Sequence, residues 1–172
     1  MCPVPPPAEL APLAAADFAA VRRLAHGIWH GHYDGIVGAA QVDFMLARRC
    51  ADAALAAYLG AADRWFDVLR VGGEPVGYCS CALVPEEGVL KLEQLYVAGP
   101  HRGLGLGRLM LGHVECRARA CGRHTILLQV NKRNAAAIDF YRRAGFTVRE
   151  EAVFDIGGGF VMDDFVMTKR LA

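Results

Sequence analysis

The chain has 172 residues, 54% hydrophobic and 22% charged, so it is long enough to bury the core of one domain. The formal net charge of +1 gives no general attraction to nucleic acid or to a membrane, and we expect neither partner. No apolar run has the length of a membrane span, and the first ten residues lack the basic and apolar segments of a signal peptide. Six cysteines without a zinc-type spacing indicate thiols in a reducing compartment, so we expect a cytoplasmic protein.

The first half of the chain carries the signals of helices followed by a hairpin. Four prolines near the start predict a disordered lead-in over residues 1–8. Hydrophobic periodicity predicts helices at 18–30, 39–49 and 51–59, with a glycine-rich break at 31–38. Strand-forming residues predict a hairpin of strands 64–71 and 75–84.

The second half alternates strands with helices. Strand, helix, strand and helix are predicted in turn at 89–97, 106–120, 125–130 and 135–143. Asn134 caps the second of these helices, and Gly145 follows its end. A last hairpin joins strands 147–154 and 163–169 through three glycines at 157–159. This order predicts one α/β domain with a mixed sheet.

A glycine-rich turn separates strand 89–97 from helix 106–120. Its sequence is Arg102-Gly103-Leu104-Gly105-Leu106-Gly107-Arg108. Free N–H groups converge at such a turn, and the helix dipole adds positive potential, so the turn is predicted to hold a phosphate. The spacing excludes a P-loop, which needs Gly-Lys-Ser/Thr, and the dinucleotide fingerprint, which needs a glycine where Arg108 stands.

A second motif lies on helix 135–143, where Asn134 at the N-terminus and Tyr141 two turns later share one face. Together, Arg102-x-x-Gly105-x-Gly107 and Asn134-x6-Tyr141-x3-Gly145-Phe146 resemble the GNAT N-acetyltransferase superfamily over about residues 89–146. The last strands also resemble those of PaiA-like small-molecule acetyltransferases. The resemblance implies one acetyltransferase domain over 1–172, with a mixed central sheet of six to seven strands flanked by helices. Its first strand is expected near 9–13, where Pro12 weakens it.

The resemblance also implies acetyl-coenzyme A as the acetyl donor. In the family, the strand before the loop hydrogen-bonds the pantetheine arm, here at Leu95, Tyr96 and Val97. The loop N–H groups, from Gly103 through Leu104, Gly105, Leu106 and Gly107 to Arg108, take the pyrophosphate, with charge added by Arg102 and Arg108. Asn134 contacts the lower arm of coenzyme A, and Tyr141 protonates the departing thiolate.

The implied acceptor is a primary amine of a small molecule, with polyamines as the first class to consider. An alkylammonium has a pKa of about 10.4, so roughly one molecule in a thousand is neutral at pH 7 and a base helps. Glu93 is the candidate base, because alternation places it on the face of Leu95. Polyamine acetyltransferases of the family carry a glutamate at the matching position.

Acceptor binding is expected from the less matched parts of the chain, at Tyr33, Asp34 and Asp163. His26, His30 and His32 raise the question of a metal, but no carboxylate or cysteine completes a set in the sequence, so no metal is expected. Two other functions stay open: acetylation of peptide or protein N-termini, and a non-catalytic acetyl-CoA sensor. A homodimer also stays open.

Overall fold

A computed structural model describes residues 7–172 of the chain. In this part, seven strands and five helices follow the predicted order. The strands are β1 Ala8–Pro12, β2 Arg64–Val71, β3 Glu74–Leu83, β4 Val89–Val97, β5 Thr125–Asn131, β6 Thr147–Gly157 and β7 Phe160–Arg170. The helices are α1 Phe18–Val37, α2 Ala39–Arg49, α3 Asp52–Ala56, α4 Leu106–Ala120 and α5 Ala135–Arg143.

The seven strands form a single mixed sheet with the order β1-β2-β3-β4-β5-β7-β6. Neighbouring strands are antiparallel except β4 and β5, which are parallel. This parallel pair follows from the crossover through α4, since parallel neighbours need a long connection. The predicted fold class, one α/β domain with a mixed sheet of six to seven strands, is confirmed.

The pairing of β4 with β5 is short. It runs only from Val89 opposite Thr125 to Lys91 opposite Leu127, although both strands continue beyond these residues. The edge of β4 that faces β5 therefore has no strand partner from Leu92 to Val97. The two strands part at this point, and the gap between them opens in the middle of the sheet.

Helices cover both faces of the sheet. On one face, α4 and α5 pack with β3, β4 and β5 through buried residues such as Met110, Val114, Ile138 and Leu128. On the other face, α1, α2 and α3 pack on β2 and β3 through Val21, Trp29, Val42, Leu55, Phe66 and Tyr78. Helices therefore flank the gap between β4 and β5 on both faces of the sheet.

A β-bulge interrupts the pairing of β3 with β4 at Glu93. Ser80 lies opposite Gln94, but the next residue, Cys81, lies opposite Leu92, so Glu93 has no partner in the ladder. Leu92 and Leu95 consequently pack on the same side of the sheet, with the α4 and α5 cluster. Bulges of this kind are frequent beside active sites, because the extra residue re-aims a side chain.

Helix α1 is longer than predicted, because it continues through the expected break at 31–38 to Val37. Glycines at 31 and 35 lie inside this helix and each costs about 1 kcal/mol relative to alanine. Burial of Ile28 and Trp29 on the sheet side holds the helix regardless. The chain leaves the helix only at Gly38, whose φ of 89° favours glycine.

The ends of the chain and the last hairpin also differ from the prediction. Ala8 already belongs to β1, and residues 1–6 of the predicted lead-in lie outside the described residues. Pro12 is tolerated because β1 is an edge strand that pairs only with β2. Helix α3 ends at Ala56, before residue 59, and β6 and β7 extend to a turn at Gly158 and Gly159.

Candidate active site

Two cavities meet in the gap between β4 and β5. The loop cavity, of about 630 Å³, is lined by residues 102–108 except Leu104, and by β4, β5 and α5. The helix cavity, of about 580 Å³, is lined by α1, α2, β4, β5 and the β6–β7 hairpin. Seven residues line both cavities: Tyr33, Leu92, Glu93, Gln94, Tyr96, Gln129 and Val130. Two ligands bound in these cavities would therefore meet beside Glu93.

The glycine-rich turn forms one end of the loop cavity. Gly103 and Gly105 have φ values of 80° and 79°, in the left-handed region that favours glycine. Gly105 is the N-cap of α4, and no side chain caps this helix terminus. The N–H groups of the first turn of α4 are thus left for an anion, with the helix dipole behind them.

The side chains of the turn have different positions relative to the loop cavity. The Leu104 side chain is 67% exposed and does not line the cavity. The Nε of Arg102 donates to the carbonyl oxygen of Val97 at 3.1 Å, which ties the loop to the end of β4. Arg102 and Arg108 nevertheless both line the loop cavity, so their charges lie where an anion would bind.

Strand β4 supplies a wall of the loop cavity at Leu95, Tyr96 and Val97. These residues lie beyond the end of the pairing with β5. Peptide groups on the open edge of a strand need hydrogen-bond partners. An extended ligand with amide groups, such as a pantetheine arm, provides them in the manner of an added strand.

Asn134 joins α5 to α1 at the wall of the loop cavity. It is the N-cap of α5, as predicted, and its side-chain oxygen accepts from the backbone N–H of Ala137 at 3.3 Å. Its Nδ2 donates to the hydroxyl of Tyr33 at 3.4 Å. Asn134 is only 3% exposed, so the cap and the Tyr33 contact take up most of its polar atoms.

Tyr141 lines the loop cavity from α5. Its ring packs edge-on against Phe140 and Phe146, with centroids 5.1 and 5.4 Å away. Burial raises the pKa of Tyr141 well above its ordinary value of 10.0. The phenol is protonated at neutral pH, as an ordinary tyrosine also is, and burial makes it a weaker acid.

Glu93 faces the side opposite to the one predicted. The bulge reverses the alternation of β4, so Leu95 belongs to the α4 and α5 cluster, whereas Glu93 accepts a hydrogen bond from the Tyr58 hydroxyl at 2.7 Å. The expectation that Glu93 and Leu95 share a face is wrong for this reason. Burial, and then the charge of Glu93, raise the pKa of Tyr58 to about 12, so Tyr58 remains the donor.

Of the three predicted acceptor residues, only Tyr33 lines either of these two cavities. Asp34 is on α1 and pairs with His30, and Asp163 pairs with Lys132 at 2.5 Å. The placement of Asp34 and Asp163 at the acceptor is thus not supported. Asp163 misses the cavity because strand alternation directs it to the opposite face from Asp164.

Asp164 lines the helix cavity and is 5% exposed. Its Oδ1 is buried without a hydrogen-bond partner among the described residues. Burial, and then the charge of Asp163, raise its pKa to about 6. A buried carboxylate oxygen without a partner is costly, and a ligand amine would satisfy it.

Three cations also line the helix cavity, namely Arg48, Arg49 and Lys91. Arg48 donates to the carbonyl of Ile156 at 2.7 Å. Within residues 7–172, neither Arg49 nor Lys91 belongs to an ion pair. Burial lowers the pKa of Lys91. The cavity therefore presents these three cations beside two carboxylates, those of Glu93 and Asp164.

Sequence reasoning missed several cavity residues. His101, Phe140 and Arg143 line the loop cavity, and Lys91 and Arg49 line the helix cavity. Two of them lie next to predicted site residues in the sequence, since His101 directly precedes the glycine turn and Phe140 precedes Tyr141. Arg49 carries no such signal, because only the tertiary fold brings α2 to the gap.

The chain matches a family model. A model described as "Acetyltransferase (GNAT) family" matches residues 39–146, which is more than half of the chain. The chain belongs to this family.

In the described residues, no helix combines the length and the apolar character needed to cross a membrane.

Two curated GNAT relatives are similar over part of the chain. Streptothricin acetyltransferase of Streptomyces lavendulae is 35% identical over 86 residues, which cover 50% of this chain and 46% of that protein. The L-methionine sulfoximine/L-methionine sulfone acetyltransferase of Salmonella typhimurium is 41% identical over 54 residues, covering 31% of this chain and 32% of that protein. The chain thus spans half or less of the length of these two relatives.

Solved GNAT structures share the whole fold. The PaiA N-acetyltransferase from Thermoplasma acidophilum, solved in complex with coenzyme A, superposes with a TM-score of 0.81. The match covers 95% of this chain and 99% of that chain at 19% sequence identity. At this identity the likeness establishes the GNAT fold.

Proposed function

We propose that this GNAT protein transfers the acetyl group of acetyl-CoA to a primary amine of a small molecule, by direct attack in a ternary complex. The observation that carries the proposal is the meeting of the two cavities at Glu93. One cavity has the features of a coenzyme A site and the other has carboxylates for an amine. Bound together, donor and acceptor would need no covalent enzyme intermediate.

The loop cavity fits the donor at both ends. The uncapped start of α4, with Arg102 and Arg108 beside it, suits a pyrophosphate. The open edge of β4 at 95–97 suits the amides of the pantetheine arm. Its N–H groups would also polarise the thioester carbonyl, where negative charge develops during attack.

Glu93 and Tyr141 would move the two protons of the reaction. Glu93 takes a proton from the acceptor ammonium, directly or through one water, and the free amine attacks the thioester carbonyl. The nitrogen–carbon bond forms, the carbon–sulfur bond breaks with its electron pair staying on sulfur, and the nitrogen loses its second proton to water. The Tyr141 hydroxyl donates a proton to that thiolate and is reprotonated by water. The Tyr58 hydrogen bond keeps the Glu93 carboxylate oriented toward the gap.

The charges of the helix cavity favour an acceptor that carries an anionic group besides its amine. Glu93 and Asp164 would hold the ammonium, while Arg49 and Lys91 would pair with a carboxylate. A polyamine would bring several positive charges against Arg48, Arg49 and Lys91. The cavity therefore supports an amino-acid-like acceptor over the polyamine expected from the sequence.

The shape of the helix cavity supports a small acceptor over a peptide. Phe44 from α2 and Phe154, Ile156 and Met162 from the last hairpin line its wall. These bulky side chains close the cavity where a peptide would need an open groove. A non-catalytic sensor would have no use for a base and a proton donor at the junction of two cavities.

An assay of free thiol release from acetyl-CoA tests the proposal. The acceptor panel pairs amino acids with their carboxamides, and adds spermidine and a short peptide. We expect release with the amino acids, and a KM about tenfold higher or more for the carboxamides, because a charge pair is lost. Acetyl-CoA binding without thiol release for any amine would instead support the sensor, and preference for spermidine would support the polyamine.

Arg49→Gln is the matched variant for this assay. It should raise the KM for an amino acid by about tenfold or more and leave the KM for its carboxamide nearly unchanged. Arg22→Gln is the control, since Arg22 pairs with Asp52 and lines neither cavity. Equal effects of Arg49→Gln on both acceptors would exclude a carboxylate contact at this residue.

A further inference from the structure

A cluster of histidine and carboxylate side chains lies away from the two cavities. His26 and His30 are one turn apart on α1, and their ring centroids are 4.4 Å apart. Asp43 approaches them from α2, and its Oδ1 is 3.1 Å from Nε2 of His30. One potential ligand atom from each of the three residues falls within 4.8 Å of the others. None of the three lines either cavity.

We infer that His26, His30 and Asp43 form a zinc-binding site that joins α1 to α2. Two imidazole nitrogens and a carboxylate oxygen are a common zinc ligand set, with water completing the tetrahedron. Histidines four residues apart on one helix face are a recurring zinc arrangement. The sequence alone offered no third ligand, because Asp43 follows His30 by 13 residues and lies on the next helix.

Asp34 gives this cluster the outer partner that zinc-bound histidines need. Its carboxylate oxygens lie 2.9 and 3.2 Å from Nδ1 of His30. With the proton on Nδ1 toward Asp34, Nε2 would present its lone pair to an ion bound beside Asp43 and His26. A carboxylate behind a histidine fixes the tautomer and raises its basicity as a ligand. Asp34, which the sequence assigned to the acceptor, would thus act as a positioning residue of the metal site.

The position of the site indicates what a bound ion would do. His26 and Asp43 are exposed, so an ion reaches them from solvent without opening the core. The helices it joins also carry Trp29 and Tyr33 of α1, and Phe44 and Arg49 of α2, which line the helix cavity. Zinc would therefore hold together the two helices that shape this cavity.

Zinc titration of the untagged protein tests the inference. We expect about one ion per chain by calorimetry, and a Tm raised by about 5 °C or more when free zinc is about 100-fold above its Kd. His26→Ala and Asp43→Asn should weaken binding by about tenfold or more and abolish the Tm shift. Asp34→Asn should weaken binding by about 10- to 100-fold, as other outer partners do.

His32→Ala is the matched control, because His32 lies on the same helix but outside the cluster. It should bind zinc as the wild type does. No binding, or equal binding by His26→Ala and His32→Ala, would overturn the inference. Cobalt absorption separates this site from the exposed thiol of Cys116, because a thiolate ligand adds a strong near-ultraviolet band. Such a band would also overturn the inference. These readouts do not depend on acetyl transfer.

Discussion

Glu93 shows how the position of one residue changes its chemistry. On a regular strand its carboxylate would face the same side as Leu95, but the bulge turns it toward Tyr58 and the junction of the two cavities. The Tyr58 hydroxyl holds one carboxylate oxygen at 2.7 Å. The proposed role as general base requires the other oxygen to face the acceptor amine.

Glu93→Gln should lower kcat/KM for the amine by about 100- to 10,000-fold near neutral pH, because the amide retains the shape but accepts no proton. The loss should shrink as the pH approaches about 10, where the acceptor amine is already neutral. A pH profile of kcat/KM measures this. Acetyl-CoA affinity should stay within about twofold of the wild type.

Tyr58→Phe is the matched control for Glu93→Gln, since it removes the hydrogen bond and keeps the carboxylate. Its loss should be smaller and should depend little on pH. If Glu93→Gln instead lowers kcat/KM by the same factor at every pH, the carboxylate contributes to binding or shape and another group accepts the proton.

At the scale of elements, the start of α4 links a backbone conformation to donor binding. Gly105 has a φ of 79° as the N-cap, and a non-glycine residue in this conformation costs about 1 to 2 kcal/mol. Gly105→Ala should therefore lower the Tm and weaken acetyl-CoA binding, because the turn shifts to relieve the strain. Thermal unfolding and calorimetry measure the two effects.

Gly112→Ala is the control on the same helix. Gly112 lies inside α4 with no atom within 4 Å of an added Cβ, so alanine should stabilise the helix by about 0.5 to 1 kcal/mol. The two substitutions add the same methyl group but should move the Tm in opposite directions. Tight acetyl-CoA binding by Gly105→Ala would show that donor binding does not depend on glycine at this position.

Local signals predicted the elements of the second half well, because each has its own start and stop. The bounds of β4, α4 and α5 agree with the predicted ranges, and Asn134 caps α5 as expected. The same reasoning missed the continuation of α1 through Gly31 and Gly35, where tertiary packing outweighs a local breaker. Helix-breaking residues mark a boundary reliably only where burial does not oppose them.

The candidate site also has a part that local signals predict and a part that only tertiary packing assembles. Its donor half is a contiguous motif, so the sequence pointed to Arg102, Gly103, Gly105 and Asn134, which line the loop cavity. Its acceptor half is assembled from α1, α2, β4 and β7, far apart in the chain. Asp163 and Asp164 cannot be told apart without the strand register, and the bulge at Glu93 has no signature in the residues around it.

At the scale of the whole molecule, the gap in the sheet carries a cost in stability that depends on pH. Asp164 is buried at the gap, and its pKa of about 6 lies above the ordinary value of 3.8. The folded state therefore holds this proton more tightly than the unfolded state. The resulting stabilisation is complete below about pH 4 and is lost as the pH rises through 6.

Asp164→Asn should consequently be more stable than the wild type at pH 7, by about 1 to 3 kcal/mol, because a buried negative charge is removed. The difference should vanish near pH 3 to 4, where the wild-type carboxyl is neutral too. Urea unfolding between pH 4 and pH 7.5 measures the two curves. Parallel curves over this range would place the ionised Asp164 in contact with solvent in the folded state.

Asp163→Asn is the control, since Asp163 is exposed and paired with Lys132, and its removal should change stability little at any pH. The same Asp164→Asn variant should bind the acceptor amine less tightly at pH 7. If the Asp164 carboxylate binds the acceptor amine at a cost in stability, Asp164→Asn should gain stability and have a higher KM for the amine. The ammonium of the acceptor would supply the partner that Oδ1 of Asp164 lacks, so acceptor binding should stabilise the wild type more than the variant.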